Sequence, residues 1–449
     1  MKRFLLIALN LFLIIGFVGC TPKATEVAPK ATEVKVADTP VPQAEKKVSG
    51  EITFATWGSL DEKKVNELII AEFEKDYPGT KVNLEYIPDG YIQKIETEFV
   101  GGTAPDVIYG HPHYFANWAS KGLLMDLDGY FAENADFFYD KTKFTTSLYD
   151  SFMWNGKHIA TINGSDTFLL FYNKDLFDKA GVAYPDDNWT WDDFVAAGQK
   201  LTIPEGDNKQ FGFTVSSWPI AAFPFINSFG GSVFDNMNNP TKVTFDNPGT
   251  VAGLQFYQDL VYKYKIAPTV QDTAALGGSF DTGQVAMDIT GMWAVVFRRN
   301  ITDFKWDVAN LPLAPGQPRK TIALYAGYAL YKDTKNPDLA WEFAKYMQGD
   351  TGQKLLAGLG LITVINHQIE SSDEVMKAPG MPEHHILRVT SPDYATNGYG
   401  FLTNWEELLA KAIQPPYDQL MANTMDAATA AKTIQAEMEK IFAESGKQQ

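Results

Sequence analysis

The chain has 449 residues, 45% of them hydrophobic, and a formal net charge of −17. That length and apolar content are ample for a buried core and suggest two to three domains. The acidic balance disfavours nucleic acid and anionic membrane surfaces as partners, and it says nothing about a neutral ligand.

The first predicted element is a leader. Lys2 and Arg3 precede an apolar run from Phe4 to Gly19 that contains one polar residue, Asn10; this is the layout of a secretory signal. The run is shorter than the roughly 20 apolar residues a membrane span needs. Phe17, Val18 and Gly19 then lead into Cys20, the one cysteine of the sequence, so no internal disulfide can form. Small residues before that cysteine resemble a lipobox, with Phe17 where Leu is usual, and Cys20 is the expected lipidation site. The alternative is an uncleaved anchor with a buried thiol. Residues 1–20 are assigned to a lipoprotein signal peptide and 21–48 to a flexible tether. In the tether PKATEV occurs twice, at 22–27 and 29–34, and the stretch has too few apolar residues to build a core.

Order is expected from Glu51. Ile52, Phe54 and Thr56 alternate as one face of a strand. Ser59 and Glu62 make a capping-box pattern, the helix after it carries Val65, Leu68, Ile69 and Phe73, and Pro78-Gly79 stops it. A strand over 81–87, a helix over 91–100 closed by Gly101-Gly102, and a strand over 106–109 follow. Strands and helices alternating with short joints predict an α/β fold with a mostly parallel sheet. A second α/β stretch starts with a strand at 168–172, capped into a helix by Asn173 or Asp175 and ended at Gly181. Thr190 and Asp193 repeat the capping box. Val285, Met287 and Ile289 share a strand face that ends at Gly291. Asn336-Pro337 opens a helix by cap and first-turn proline, Asp350 and Gln353 start the next, and the C-terminal helical stretch is expected to break at Pro415-Pro416.

Several fragments resemble one family when taken in order: ITFATWGS (52–59) with FEKDYPGTKV (73–82), GGTAPDVIYG (101–110) with WASKGLLMDL (118–127), FLLFYNKDLFDKAGV (168–182) with NWTWDDFVAAGQKLT (188–202), GQVAMDITGMWAV (283–295), and KNPDLAWEFAKYMQGDTGQKLLAGLG (335–360). They are similar to the extracellular solute-binding proteins of sugar ABC importers, which include the maltodextrin-binding proteins. The resemblance implies two α/β lobes joined by crossing strands, in the fold of periplasmic binding proteins. Lobe one would be 50–163 plus 312–370, and lobe two 164–311 plus 371–449. It further implies a monomer that closes on a small solute, expected to be a saccharide, without cofactor or catalysis. The partners would be the permease subunits of the importer and the bilayer that holds acylated Cys20. The protein would be exported and lipid-anchored, on the outer face of the cell membrane or in the periplasm.

A sugar needs aromatic planes for its C–H faces and polar groups for its hydroxyls. Trp57 and Ser59 follow the first strand, where Trp57 reads as cleft rim or core and Ser59 as ligand contact or helix cap. His113 and Tyr114 fall where maltodextrin binders use an acid and a base. The His111-Pro-His113 pair also admits a metal reading, although no third ligand stands at useful spacing. Asp166 matches an acidic hydroxyl-binding position, with a turn at Asn163-Gly164-Ser165-Asp166 as the alternative. Trp218 and Phe223 lie where relatives supply an aromatic, and Trp293 lies where they place a stacking tryptophan. Tyr325 and Tyr328 sit on a crossing segment. Tyr394, Tyr399 and Trp405 fall in a further aromatic region. Trp341, Trp189 and Trp191 read as structural.

Two other classes remain open. No HExxH, GxSxG or GxGxxG signature supports an enzyme, though paired carboxylates as in a glycosidase need no such motif. Arg298-Arg299, just after Trp293, either end a helix in solvent or pair with a sugar phosphate or another anion.

Overall fold

Alternation turns Ile52 and Phe54 inward, but Ala55 and Thr56 are buried as well. A strand covered on both faces belongs inside a sheet flanked by helices. The computed structural model describes residues 47–143, 149, 151–205, 209–275 and 280–445; the leader, Cys20 and nearly all of the tether lie outside the described residues. Strand β1 (Gly50–Thr56) pairs in parallel with β2 (Thr80–Tyr86) and β3 (Val107–Gly110). Helix α1 (Leu60–Asp76) links β1 to β2, and α2 (Tyr91–Gly101) links β2 to β3. The capping box at Ser59 and Glu62 forms as expected, and Gly102 closes α2 in the left-handed conformation. Helix α3 (Pro112–Ser120) follows β3 with Pro112 in its first turn.

Two long strands hold the two halves together. The first, β4 (Thr161–Asn173), is buried over its whole length. It extends the expected strand at 168–172 backwards through Asn163–Asp166, so the turn reading of those residues does not hold. Gly164 makes the extension possible, because a Cβ there would lie 2.3 Å from the Thr363 carbonyl oxygen of an adjoining strand. The sheet continues with β5 (Phe211–Phe213), β6 (Val285–Gly291), β7 (Trp306–Ala309) and β8 (Thr321–Leu330), the second long strand. The first half of β4 pairs with β8 and its second half with β6 and β7, all antiparallel. At its far end β8 runs antiparallel to β3. The resulting order is β2-β1-β3-β8-β4-β6-β5, a mixed sheet. Two short strands, β9 (Thr363–Val364) and β10 (Ala395–Asn397), add to β4 and β8.

The apolar side chains divide into two main cores. One draws on residues between 52 and 162 and between 326 and 375, together with Val296. The other draws on residues between 168 and 324 and between 399 and 438. Strands β4 and β8 pass from one core to the other.

Two local expectations fail for physical reasons. Helix α4 (Pro337–Gln348) begins at Pro337, but the Asn336 side chain does not cap it; its amide donates to the Glu51 carbonyl at 2.8 Å. The C-terminal stretch does not break at Pro415-Pro416. A wide π-turn over Leu408–Ile413 runs directly into α5 (Gln414–Met421), with both prolines in its first turn, where their missing N–H groups leave few bonds unmade. Trp341 and Trp191 are buried, as expected. Among the described residues no helix is long and apolar enough to cross a membrane.

Candidate functional site

Loops that follow neighbouring strand ends converge, and open α/β sheets bind ligands there. Here the loops after β1 and β3, the middle of β4 and β8, and the end of β6 meet around a cavity of about 390 Å³.

On the side of the first core, Trp57 packs edge-on to Tyr91 with ring centroids 4.8 Å apart, and tilted against Tyr109 at 4.6 Å and His111 at 5.2 Å. The Tyr91 hydroxyl donates to the Tyr109 carbonyl at 2.7 Å, tying α2 to β3 behind the indole. Ser59 is a helix cap, its hydroxyl accepting from the Glu62 N–H at 3.2 Å, and it also lines the cavity. Glu62 also faces the cavity, where burial raises its carboxyl pKa against the opposing pull of the Ser59 N–H. His111 Nδ1 lies 2.7 Å from the Tyr325 carbonyl. That oxygen can only accept, so Nδ1 carries the proton and Nε2 is the acceptor. Burial, with His113 nearby, lowers the His111 pKa to about 3 and keeps the ring neutral. Tyr399, from the second core, reaches across to this side, 5.0 Å from the His111 ring.

On the side of the second core, Trp293 and Trp218 share Phe168, with centroid separations of 5.2 Å and 6.2 Å. Trp293 lies across Gly291, where a Cβ would come within 1.7 Å of its ring. Between the two sides sits Asp166 on β4, only 4% exposed. Thr363 donates to Asp166 Oδ1 from its N–H at 3.2 Å and from its hydroxyl at 3.4 Å. Burial raises the Asp166 pKa to about 7, against the pull of Arg388. The cavity thus offers indole and phenol faces together with carboxylate and imidazole acceptors, a lining suited to a small polyhydroxylated guest.

Seven sequence candidates lie outside this cavity. His113 and Tyr114 face a neighbouring one of about 540 Å³ with Asn117, Trp154 and Glu406. Helix α3 starts at Pro112 and turns them away, so the extended residue before it, His111, takes the place at the cleft. His113 is 2% exposed, with Nε2 3.0 Å from Glu406 Oε1. Although this cavity is the larger, no residue following β1 or β6 and none from β4 reaches it. Phe223 is 2% exposed in the second core. Tyr325 points to the opposite face of β8 from Leu324 and Ala326, which line the cleft, and shares a third cavity of about 360 Å³ with Phe223.

Tyr328 and Trp405 are core residues, and the Tyr394 hydroxyl donates to Asn310. Arg298 is neither a solvated helix end nor a free anion site. It is 3% exposed, paired with Asp281 at 2.8 Å and with Asp288, and stacked between Phe171 and Phe280, each 4.5 Å away. Arg299 donates to the carbonyls of Gly358 and Pro379, both at 2.7 Å. Among the described residues no group of three His, Cys, Asp or Glu could hold a metal ion. The sequence reading missed Glu62, Tyr109 and His111 as cleft residues. Their signal was present, since each lies at or just past the end of a strand or in the first turn of the helix that follows one.

The profile of the family described as bacterial extracellular solute-binding protein matches residues 57–354. The arabinooligosaccharide-binding protein of Bacillus subtilis is 28% identical over 325 residues, covering 69% of this chain and 72% of its own. The galactooligosaccharide-binding protein of the same organism is 25% identical over 309 residues, covering 66% and 68%. An ABC substrate-binding protein of Listeria monocytogenes in complex with cycloalternan matches with a TM-score of 0.78 at 27% identity, covering 88% of this chain and 100% of its own. Maltose-bound MalE3 of T. maritima shares the fold, with a TM-score of 0.74 at 22% identity over 87% and 99% of the two chains. These relatives are substrate-binding proteins rather than enzymes. With the profile spanning well over half of its length, this chain belongs to the bacterial extracellular solute-binding proteins.

Proposed function

We propose that this protein is a non-catalytic receptor that closes on a sugar or oligosaccharide in the cleft and delivers it to the permease of an ABC importer. One observation carries the reading: Trp218 and Trp293 flank a buried carboxylate, Asp166, in a single cavity. Indole faces suit the C–H faces of a pyranose, and a carboxylate can accept protons from two hydroxyls at once. The oligosaccharide-binding relatives favour the same class. The contacts we assign are Trp57, Ser59, Asp166, Trp218, Trp293 and Tyr399 from the sequence reading, joined by Glu62, Tyr109 and His111. An anionic ligand is disfavoured because Arg298 and Arg299 are already engaged.

The division into lobes at 50–163 plus 312–370 and 164–311 plus 371–449 is retained as part of the proposal. The two cores support it apart from Val296 and Val375, which pack with the first, and Ala314, Ile322 and Leu324, which pack with the second. Closure would bend β4 and β8, the strands common to both halves. The leader and Cys20 would export and acylate the chain, with residues 21–48 as the leash.

The test is a thermal-shift screen of the leaderless chain against mono- and oligosaccharides, followed by calorimetry on each hit. A ligand that binds only the folded state raises the melting temperature by mass action, and the reading predicts such a rise with no turnover. Silence from the whole saccharide panel, or release of a product, contradicts it.

A further inference from the structure

The cleft does not hold the Asp166 carboxylate by itself. The Thr363 hydroxyl that donates to Asp166 at 3.4 Å accepts in turn from Arg388 Nε at 3.0 Å. Arg388 is 0% exposed, and neither of its Nη atoms has a hydrogen-bond partner. Its Nε also lies 3.4 Å from Glu370 Oε1, while the other Glu370 oxygen accepts from the Val364 N–H at 2.9 Å. Glu370 is 1% exposed, so one buried guanidinium serves two buried carboxylates. His385, 4.0 Å from Glu370, is held neutral by burial and by Arg388 and adds no charge. Arg388 stands behind the cleft, reaching Asp166 through a strand, β9, that pairs with the same stretch of β4. An arginine in that place costs desolvation, and a buried charge with unmade bonds is conspicuous unless its field is used.

We infer that Arg388 is a positioning residue for ligand capture: acting through Thr363, it orients Asp166 and keeps that carboxyl ionised for the incoming hydroxyls. The inference rests on the saccharide reading of the same cleft. An ionised Asp166 accepts two hydroxyl protons, whereas the acid form must spend one oxygen as a donor. Burial and Glu370 push Asp166 towards its neutral form, and Arg388 with the Thr363 N–H and hydroxyl opposes them. The other ionisable groups on the surrounding elements are Glu62 from α1, Tyr109 and His111 from the end of β3 and Tyr399, held protonated by burial, all lining the cavity, with Arg299 near His385. His111 is neutral, and Tyr109 is held protonated by burial with the Asp166 charge contributing. Arg388 therefore supplies the main cationic influence on Asp166.

Because the raised Asp166 pKa is about 7, binding should strengthen as pH rises through that value and level off above it. Loss of Arg388 leaves burial and Glu370 less opposed, so the midpoint moves up. At pH 7 the first unit of midpoint shift lowers the ionised fraction, and with it the affinity, about fivefold, and each further unit about tenfold.

The experiment measures saccharide affinity from pH 5 to 9 by calorimetry for the wild type, Arg388→Met, Arg388→Lys and Thr363→Val. In parallel, the Asp carboxyl carbons of the ligand-free protein are titrated by NMR, with the Asp166 resonance identified by its loss in Asp166→Asn. We expect the Asp166 midpoint and the affinity midpoint to rise together in Arg388→Met, by about one unit or more, and by less in Thr363→Val. Arg388→Lys should restore most of the wild-type profile. A uniform loss of affinity with both midpoints unmoved would mean a merely structural arginine and overturn the inference. Should Arg388→Met fail to fold, Thr363→Val decides by the same two midpoints. A wild type that binds no saccharide overturns the ligand reading instead, and the carboxyl titration still decides the role of Arg388.

Discussion

Trp293 depends on a residue that does not itself line the cleft, Gly291. Its ring lies where a Cβ on Gly291 would be, at a distance of 1.7 Å. The Gly291 backbone, at φ −73° and ψ 156°, suits any residue, so the constraint is space and not conformation. Gly291→Ala should leave the strand intact and swing the half-exposed indole out of place. We expect saccharide affinity to fall about tenfold or more, as in Trp293→Ala, given that one well-placed stack is worth about 1 kcal/mol beyond its buried area. Calorimetry of both variants, with melting temperatures as a control on folding, checks this; unchanged affinity in Gly291→Ala would contradict it. The position of Trp293 was legible because strand alternation ends visibly at Gly291. Arg298 was not, since its partners Asp281 and Asp288 and its stacking rings Phe171 and Phe280 come together only when separate segments fold. His111 was overlooked for a local reason: the ring that enters the cleft belongs to the extended residue before α3 and not to the helix itself.

Helix caps show how one element does two jobs. Ser59 and Glu62 cap α1 reciprocally, and both line the cleft. Ser59→Ala removes a side-chain acceptor for a helix N–H, a change worth about 1 kcal/mol, and takes a hydroxyl from the cleft lining, while the Ser59 N–H that holds the Glu62 carboxylate stays in place. Urea unfolding should report a loss of about that size together with weaker saccharide binding. Stability unchanged within error would show that the cap is energetically idle. Caps of this kind are local chemistry within four residues, which is why those at Ser59, Asn173 and Thr190 could be read in advance. The first half of β4 could not. Buried on both faces and rich in polar residues, it shows no period-2 pattern, and its partners on β8 and β9 are remote in sequence. Pro415-Pro416 misled in the other direction, because a π-turn before the pair absorbs the missing donors.

Across the whole molecule, the candidate cleft is assembled from both cores, with β4 and β8 running beneath it. A second set of contacts joins α3 to the Thr403–Glu407 segment: the Asn117 amide donates to the Thr403 carbonyl at 2.6 Å, and His113 reaches Glu406 at 3.0 Å. The fold class followed from the alternation of strands and helices, and the order of the family-like fragments supplied the two-lobed architecture that periodicity alone does not give. Which aromatic residues share one cavity depended on the hand of α3 and the pleat of β8, and neither is written in residue spacing. The central claim is that a saccharide is gripped where Trp218, Trp293 and Tyr399 of the second core face Trp57 of the first over Asp166. A crystal structure with the best-binding oligosaccharide tests it most directly. The account predicts sugar rings stacked on Trp218 and Trp293 with hydroxyls on Asp166; a sugar seated instead over Tyr114 and Trp154, with Trp293 bare, would contradict it.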